Sequence, residues 1–502
     1  MNATTATHEA TPKLLVPSLV FIALVVAAVG SLGAPLITSV ATTLHVSLAS
    51  AQWTLTITLL AGAIATPILG RLGAGPHRRA TILLTLAVVV AGSVLTLLPL
   101  PFDWLLVGRA AQGVGLGLTA LMMGVARDHL PPEKSASTIA LVSVASTIGI
   151  GVGYPIAGLL TEIGGLRAAY GLGVAVTTIA LLAAVRSIPR SPQGRSAHVD
   201  IPGAALLAVG LFIVLFLASE TSLWTVHLAL AVTLGAVAIV VLGIWTIVER
   251  RIDSPLVDVR LLRHPAVAGA NIAMLTGGIG MYLLLTLITR YAQTPRNTGY
   301  GFGLTTFVAG LVLVPFSVLG FVAGKLTPRA RERVEAPLVL AGSAIIVLVA
   351  FVVFAAARSN IVELLIAMAI LGFGVGSFSS AMPGVILAVT PANETTSAMS
   401  VNQVVRSVGF SLGSAVGGLI LATRTTGTFP NDSAYTTAAW IGSVIMAATT
   451  VACLPPTIIN SRLTQPNGEP TDTARRAGGN IKTAPDQSSV APFGGASEAI
   501  AE

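Results

Sequence analysis

Two arginines stand out in this sequence because each lies well inside a long apolar stretch. Arg109 and Arg406 are the only full charges in such positions, and none of the 20 aspartate and glutamate residues falls in mid-stretch. A charge in hydrocarbon costs roughly 3 kcal/mol or more, so it usually marks a cavity or a pathway. The residues therefore predict a membrane protein whose interior is polar, sparsely basic and almost free of carboxylates.

Both arginines have a polar partner at helical spacing. Gln112 follows Arg109 by three residues and Asn402 precedes Arg406 by four, so each pair shares one helix face. A guanidinium is always charged, and its five N–H donors bind backbone carbonyls, amides or polar substrate groups. Arg109 has either a transport role or a structural role, and Arg406 either faces a cavity or extends towards the membrane surface. Further candidates for substrate contact are Tyr154, Asn271, Tyr282 and Gln403.

The composition fits a membrane protein and argues against other classes. Of 502 residues, 54% are hydrophobic and 10% are charged, whereas a soluble domain has about 25% charged residues. The net charge of +8 comes from basic residues spread over short loops, which argues against nucleic-acid binding. The single Cys453 excludes a disulfide framework and a cysteine metal site. No phosphate-binding loop is present, and nothing indicates an enzyme, a cofactor or a metal site.

The apolar stretches predict fourteen membrane-spanning helices, each of about 20 residues. The first stretch is too long for a signal peptide, so an uncleaved first helix is expected. The predicted spans begin near Leu14, Ala51, Ala80, Trp104, Thr138, Leu166, Ile201, Val226, Val267, Gly303, Ala336, Ile361, Ser397 and Ser433.

The loops on the side of the N-terminus carry most of the lysine and arginine, which places both termini in the cytoplasm. The predicted organisation is a cytoplasmic segment (1–13), a six-helix half (14–187), a cytoplasmic linker (188–200), two inserted helices (201–247), a second linker (248–266), a second six-helix half (267–455) and a disordered cytoplasmic tail (456–502).

An internal repeat supports the two halves. Residues 110–117 of the fourth span resemble residues 369–376 of the twelfth, and Gly149 and Gly153 of the fifth span match Gly409 and Gly413 of the thirteenth. Two related halves that rock about a site at the membrane midplane are a known transporter architecture. A channel or a membrane enzyme does not require this duplication.

Several motifs in the expected order resemble the major facilitator superfamily, and within it the fourteen-helix drug:proton antiporter (multidrug efflux) branch. The motifs are Leu105, Arg109, Gln112, Gly113 and Gly115 in the fourth span; Gly149, Gly153, Pro155 and Gly158 in the fifth; Gly70, Arg71, Leu72, Arg78 and Arg79 after the second; and Asp200, Gly203, Leu206, Leu207, Glu249, Pro255 and Leu256 around the inserted spans.

The resemblance implies an all-α fold and export of amphipathic small molecules in exchange for protons. It implies that Arg109 takes part in proton transfer, with Gln112, Gly113, Asn402 and Arg406 as further coupling residues. The glycines of the fifth span would seal the cavity against the other half, and the loop after the second span would form a cytoplasmic gate. The expected partners are a small-molecule substrate, protons and the lipid bilayer of the inner membrane, with the protein a monomer.

The sequence departs from the family at two acidic positions. Val26 and Ala74 stand where related antiporters usually carry aspartate. The remaining acids lie at span margins. Glu363 follows Asn360 by three residues, which favours a capping box over a proton site. A lipid or metabolite exporter of the same fold, or a non-transporting accessory protein, therefore remains an alternative, and neither the substrate nor the proton-carrying group is identified.

Overall fold

The structure is a computed structural model, and it describes residues 14–46, 48–73, 76–190, 200–220, 223–224, 226–252, 259, 264–390, 394–424 and 429–454. The predicted N-terminal segment and the C-terminal tail lie outside these residues. So do Ala74, Pro255, Leu256 and most of the two linkers.

All described elements are helices. The first half comprises α1 (Leu15–Ser31), α2 (Gly33–Leu44), α3 (Leu48–Leu72), α4 (Arg78–Leu97), α5 (Phe102–Val114), α6 (Leu118–His129) and α7 (Pro132–Ser187), with a 3-10 turn at Gly115–Gly117. The inserted helices are α8 (Ile201–Ser219) and α9 (Leu228–Glu249). The second half comprises α10 (Pro265–Gln293), α11 (Thr306–Leu311), α12 (Val314–Arg331), α13 (Ala336–Ala356), α14 (Ile361–Leu387), α15 (Thr395–Thr423) and α16 (Asp432–Cys453).

The number of membrane-capable helices is smaller than the predicted fourteen. Among the described residues, 11 helices are long and apolar enough to cross a bilayer, or 12 if α1 and α2, which meet at a bend of 42°, count as one. Helix α7 has 56 residues, and its backbone leaves helical geometry at Gly165, where φ is 68°. Glycine adopts this conformation without steric cost. The fold is therefore all-helical with about this many spans.

The beginning of α14 confirms the predicted capping box. The Asn360 side chain accepts a hydrogen bond from the Val362 N–H (3.1 Å), and the Glu363 carboxylate accepts one from the Asn360 N–H (3.1 Å). Two backbone donors at the helix start are thereby satisfied. Glu363 thus acts as a cap at this helix end.

The glycines of the internal repeat occupy equivalent positions in the two halves. A Cβ on Gly153 would lie 3.1 Å from the Ala28 carbonyl oxygen of α1, and one on Gly409 would lie 2.7 Å from the Leu275 carbonyl oxygen of α10. Gly149 and Gly413 approach the same two helices as closely. Small residues of this kind let two helix backbones come into contact in a membrane. The predicted repeat therefore has a structural counterpart.

This packing corrects the prediction that Gly149 and Gly153 press against the other half, since both face α1 of their own half. The contact with the second half comes from the opposite face of α7. There, a Cβ on Gly158 would lie 2.8 Å from the Phe307 Cα, and one on Gly310 would lie 2.7 Å from the Pro155 Cα. Spacing identifies a helix face rich in glycine, but it does not identify the neighbour that the face meets.

Gly158→Leu is therefore expected to reduce transport strongly while the first half stays folded, because the new side chain separates α7 from α11. Gly153→Leu is the matched control, since it wedges α7 away from α1 and lowers stability instead. Overpacking of this kind costs about 1–3 kcal/mol. Efflux rates and thermal unfolding of the purified variants distinguish the two effects. Equal efflux by wild type and Gly158→Leu would contradict the assignment.

Candidate transport pathway

Arg109 lies on α5 and is completely buried. Its Nε donates to the Thr54 carbonyl of α3 (3.1 Å), one Nη to the Val29 carbonyl (2.9 Å) and the other Nη to the Gly30 carbonyl of α1 (2.9 Å). A further bond of 2.6 Å joins Nη1 to the Gln112 side-chain oxygen. Four of its five N–H groups therefore bind acceptors within the first half.

The end of α1 explains why a charge is tolerated there. The helix ends at Ser31, and its last carbonyls, which a longer helix would bond internally, are available to the guanidinium. The C-terminus of a helix also carries a partial negative charge. The arginine is thus stabilised by backbone dipoles in the absence of a carboxylate among its hydrogen-bond partners.

Gln112 extends this network towards α4. Its side-chain nitrogen donates to the Ser93 hydroxyl (3.1 Å) and the Thr96 hydroxyl (3.2 Å). The predicted sharing of one polar site by Arg109 and Gln112 is confirmed. Gly113, on the same helix, packs against the Thr58 carbonyl of α3. These contacts hold four helices of the first half together, and they support the structural role of Arg109.

Arg406 lies elsewhere, on the surface where the two halves meet. Its guanidinium donates to the hydroxyls of Ser146 (3.0 Å) and Thr147 (3.3 Å) on α7 of the first half. Thr147 in turn lies 3.1 Å from the Ser379 hydroxyl of α14. Arg406 is only 9% exposed, so it faces this surface and does not extend to the membrane surface. We call the contact between Ser146 and Thr147 of α7 and Ser379 and Arg406 of the second half the seam.

The predicted substrate-contact residues lie on the seam helices α7 and α15 and on α10, which packs against α15. The Asn402 side chain donates to the Asn271 side-chain oxygen (3.2 Å), so α15 and α10 share a buried amide pair. Tyr282 stacks on Phe410, with ring centroids 5.1 Å apart. The list of neighbours is completed by Tyr154, whose hydroxyl interacts with that of Tyr282, and by buried Gln403. Polar and aromatic groups of both halves thus occupy one region.

The predicted gate loop lies at one end of the helices, which we call the basic end. Arg78 forms an ion pair with Asp128 of α6 and also donates to the Gly73 carbonyl. Arg79 donates to the Val185 carbonyl of α7 (2.9 Å), while Leu72 is exposed. Arg78 and Arg79 therefore fasten this loop within the first half. Sequence reasoning placed Asp128 at a span margin and did not predict its ion pair with Arg78. The only signal for this pair was the excess of arginines nearby.

Other residues at the basic end connect the two halves. Arg71 lies 3.9 Å from the Glu394 carboxylate of the second half, and Gly70 packs directly against Ser400 of α15. The Arg127 guanidinium donates to the Thr390 carbonyl (3.2 Å). Glu394 and Arg127 were not predicted as gate residues. In this conformation the halves are therefore in contact at the basic end.

A cavity of about 1020 Å³ lies away from the seam, on loops of the second half. Arg358 at its wall forms a bidentate ion pair with Asp432 (3.0 and 2.7 Å). Burial lowers the pKa of Arg358, but the bonds to Asp432 outweigh this and leave the pKa above its ordinary value. Tyr300, also at the wall, has its pKa raised by burial to about 12. Because its wall belongs to the second half alone and Arg358 is already paired with Asp432, this cavity is a weaker candidate for transport than the seam.

Comparison with known families settles the class of the protein. The model of the Major Facilitator Superfamily matches residues 19–414 and 318–485, which together span most of the chain. The chain belongs to the Major Facilitator Superfamily. The all-helical halves and their repeat are those of a transporter of this superfamily, and its relatives are transporters, not enzymes.

Relatives and a solved structure of the superfamily agree with this assignment. The Multidrug resistance protein Stp of Mycobacterium tuberculosis is 26% identical over 355 residues, covering 69% of this chain and 64% of that protein. The Methyl viologen resistance protein SmvA of Salmonella typhimurium is 21% identical over 329 residues, 64% of each chain. These matches span less than two thirds of either relative. The crystal structure of the human organic anion transporter MFSD10 superposes with a TM-score of 0.62 at 14% identity, covering 88% of this chain and 100% of that one, which shows the fold alone.

Proposed function

We propose that this superfamily member exports amphipathic small molecules across the cell membrane by proton antiport with alternating access. The observation that carries the proposal is the seam, where Arg406 reaches from the second half to two hydroxyls of the first. The partners are neutral hydroxyls, so two hydrogen bonds and no ion pair hold the charge there. Such contacts can be exchanged for a substrate when the halves separate.

The proposal includes fourteen spans with both termini in the cytoplasm. A helix of 56 residues is far longer than the bilayer is thick, because about 20 residues already cross it. Its break at Gly165 therefore divides α7 into two spans. The 11 membrane-capable helices count α7 once, so its division gives twelve spans. Helices α1 and α2 together add one span and the short helix Ile201–Leu217 adds another, which gives fourteen. The basic end is then cytoplasmic by its arginines.

The name of one relative supports the proposed substrate class, since Stp is named for multidrug resistance. Near Arg406, Tyr282 and Phe410 provide aromatic surface, and Asn271 and Asn402 provide amides on the same two helices. Apolar walls with a few polar groups are typical of sites for small amphipathic ligands.

The proposal is tested by efflux of dyes and antibiotics from cells that express the protein, with and without a protonophore. Expression is expected to lower intracellular accumulation several-fold, and the protonophore is expected to abolish the effect because it removes the driving gradient. Efflux that persists under the protonophore would contradict proton antiport. Absence of transport for every compound would favour a non-transporting accessory protein.

Export of a lipid or of an endogenous apolar metabolite is the second candidate. A cavity of about 380 Å³ opens between α8, α9 and α15, and apolar side chains form most of its wall, including Leu217, Trp224, Leu242 and Leu412. Its position beside the inserted helices suits an acyl chain that enters from the membrane. Accumulation of a labelled lipid in cells that lack the protein would favour this candidate.

A further inference from the structure

Two buried carboxylates face one another where the inserted helices α8 and α9 end. Of the acidic residues that the structure describes, only Asp200 (8% exposed) and Glu249 (1% exposed) are buried. A Cβ placed on Gly203 would overlap the Asp200 carboxylate and approach the Glu249 Oε1 to 2.9 Å. The glycine therefore leaves the small space across which the two carboxylates meet.

An aspartate just before a helix usually accepts a hydrogen bond from a backbone N–H of the first turn, and Asp200 does not. Asp200 is the N-cap residue of α8, yet its side chain makes no capping hydrogen bond. The second helical residue is Pro202, which has no N–H to donate. Asp200 Oδ2 is buried without a hydrogen-bond partner. Its carboxylate lies over Gly203, which Glu249 Oε1 also approaches.

A residue of α9 itself also fixes the Glu249 side chain. Its Oε1 accepts a hydrogen bond from the Trp245 indole N–H (3.1 Å). Basic residues are present in the neighbourhood, since Arg250 and Arg251 follow Glu249 in the chain. Of the helices packed on α8, α3 ends with Arg71, which lies against Glu394 at the start of α15.

We propose that Asp200 and Glu249 form a proton-binding site whose occupation is coupled to the position of the two halves. Two carboxylates at close range in a low-dielectric site repel each other when both are ionised, and a proton bound between them removes that repulsion. Ca²⁺ or Mg²⁺ is less suited, because each takes about six or more oxygen ligands, and no group of three or more His, Cys, Asp or Glu suited to a metal occurs among the described residues. The pair supplies the titratable group that Val26 and Ala74 do not provide.

Packing gives the route by which the two halves affect this site. One apolar cluster contains Leu60 and Ala63 of α3, Leu207 and Leu211 of α8, and Val404 of α15. Trp245, which holds Glu249, packs against the same cluster. Helix α8 therefore touches both halves at once. Separation of α3 from α15 changes the environment of the pair, which releases the proton as the carboxylates become hydrated.

The first experiment measures the proton directly and does not depend on transport. Infrared difference spectra of the purified full-length protein are recorded as the pH is changed. Wild type is expected to show the C=O band of a protonated carboxyl group. Asp200→Asn and Glu249→Gln, which keep the shape of each side chain, should lose it. Glu332→Gln, an exposed acid at the same end, should keep it. A band unchanged in both variants overturns the proton site.

The second experiment tests the coupling, which rests on the proposed function. A transported dye is added to weakly buffered protein, and released protons are followed with a pH indicator. Wild type should release roughly one proton per bound dye, and both variants should bind the dye without this release. Equal release by the variants overturns the coupling. If wild type binds no dye tried, the proposed function fails, while the infrared band still decides the proton site.

Discussion

Replacing Arg109 by alanine is expected to abolish export and to reduce the stability of the first half. The substitution removes four hydrogen bonds, to the carbonyls of Val29, Gly30 and Thr54 and to the Gln112 side chain. The Thr54 carbonyl keeps the Thr58 hydroxyl as a donor and the Val29 carbonyl keeps the Leu32 N–H. A hydrogen bond to a charged group contributes about 1.5–3 kcal/mol, so the total loss is of the order of 4 kcal/mol or more. Thermal unfolding of the purified variant and its abundance in the membrane measure the loss.

Arg109→Lys is the matched control, because it keeps the charge but removes the planar array of donors. A lysine ammonium cannot reach carbonyls on two helices with the same geometry, so a substantial loss is still expected. An Arg109→Ala variant with wild-type stability and export within about two-fold of wild type would show that these hydrogen bonds contribute little.

Substrate charge is expected to have the second largest effect, with neutral, zwitterionic and weakly acidic compounds preferred over permanent dications. Arg406 is the charge that faces the seam, and it donates hydrogen bonds there to two hydroxyls. A second positive charge at about 8 Å costs about 2 kcal/mol at an effective dielectric constant near 20. For a dication this corresponds to roughly a 30-fold lower export rate or more.

Arg406→Gln should reduce the difference in export rate between neutral compounds and dications. Arg424→Gln, at the exposed end of α15, should leave that difference unchanged. Methyl viologen is a permanent dication, so the name of SmvA sets the opposite expectation and makes this compound the sharpest probe. Export of methyl viologen by the wild type as fast as export of neutral compounds would refute the electrostatic argument.

Local sequence features predicted the helices and one part of the site well. Apolar length located the spans, and the spacing of three residues placed Gln112 beside Arg109, where it is found at 2.6 Å. Glu363 likewise caps its helix from three residues away. In each case the interacting groups belong to one helix, whose geometry fixes their distance.

Contacts between distant segments could not be predicted in this way. Arg406 and Ser146 are 260 positions apart, and nothing in either stretch indicates the other. The same holds for Asp200 and Glu249, which sequence reasoning placed at helix margins although both are buried. The faces of α7 were recognised, but their neighbours were assigned wrongly for Gly149 and Gly153. Burial and pairing depend on how helices pack, which a periodic pattern leaves undetermined.

Alternating access requires the two halves to separate at the basic end during export. The most direct measurement joins Arg71→Cys on α3 to Glu394→Cys on the second half with a short, cleavable thiol cross-linker, after Cys453→Ser removes the single native cysteine. The native side chains approach to 3.9 Å in this conformation, so the pair is within reach of such a reagent. Cross-linking is expected to stop export, and cleavage should restore it, while either single cysteine variant is unaffected. Export by the cross-linked protein at the uncross-linked rate would contradict alternating access by separation of the halves at the basic end.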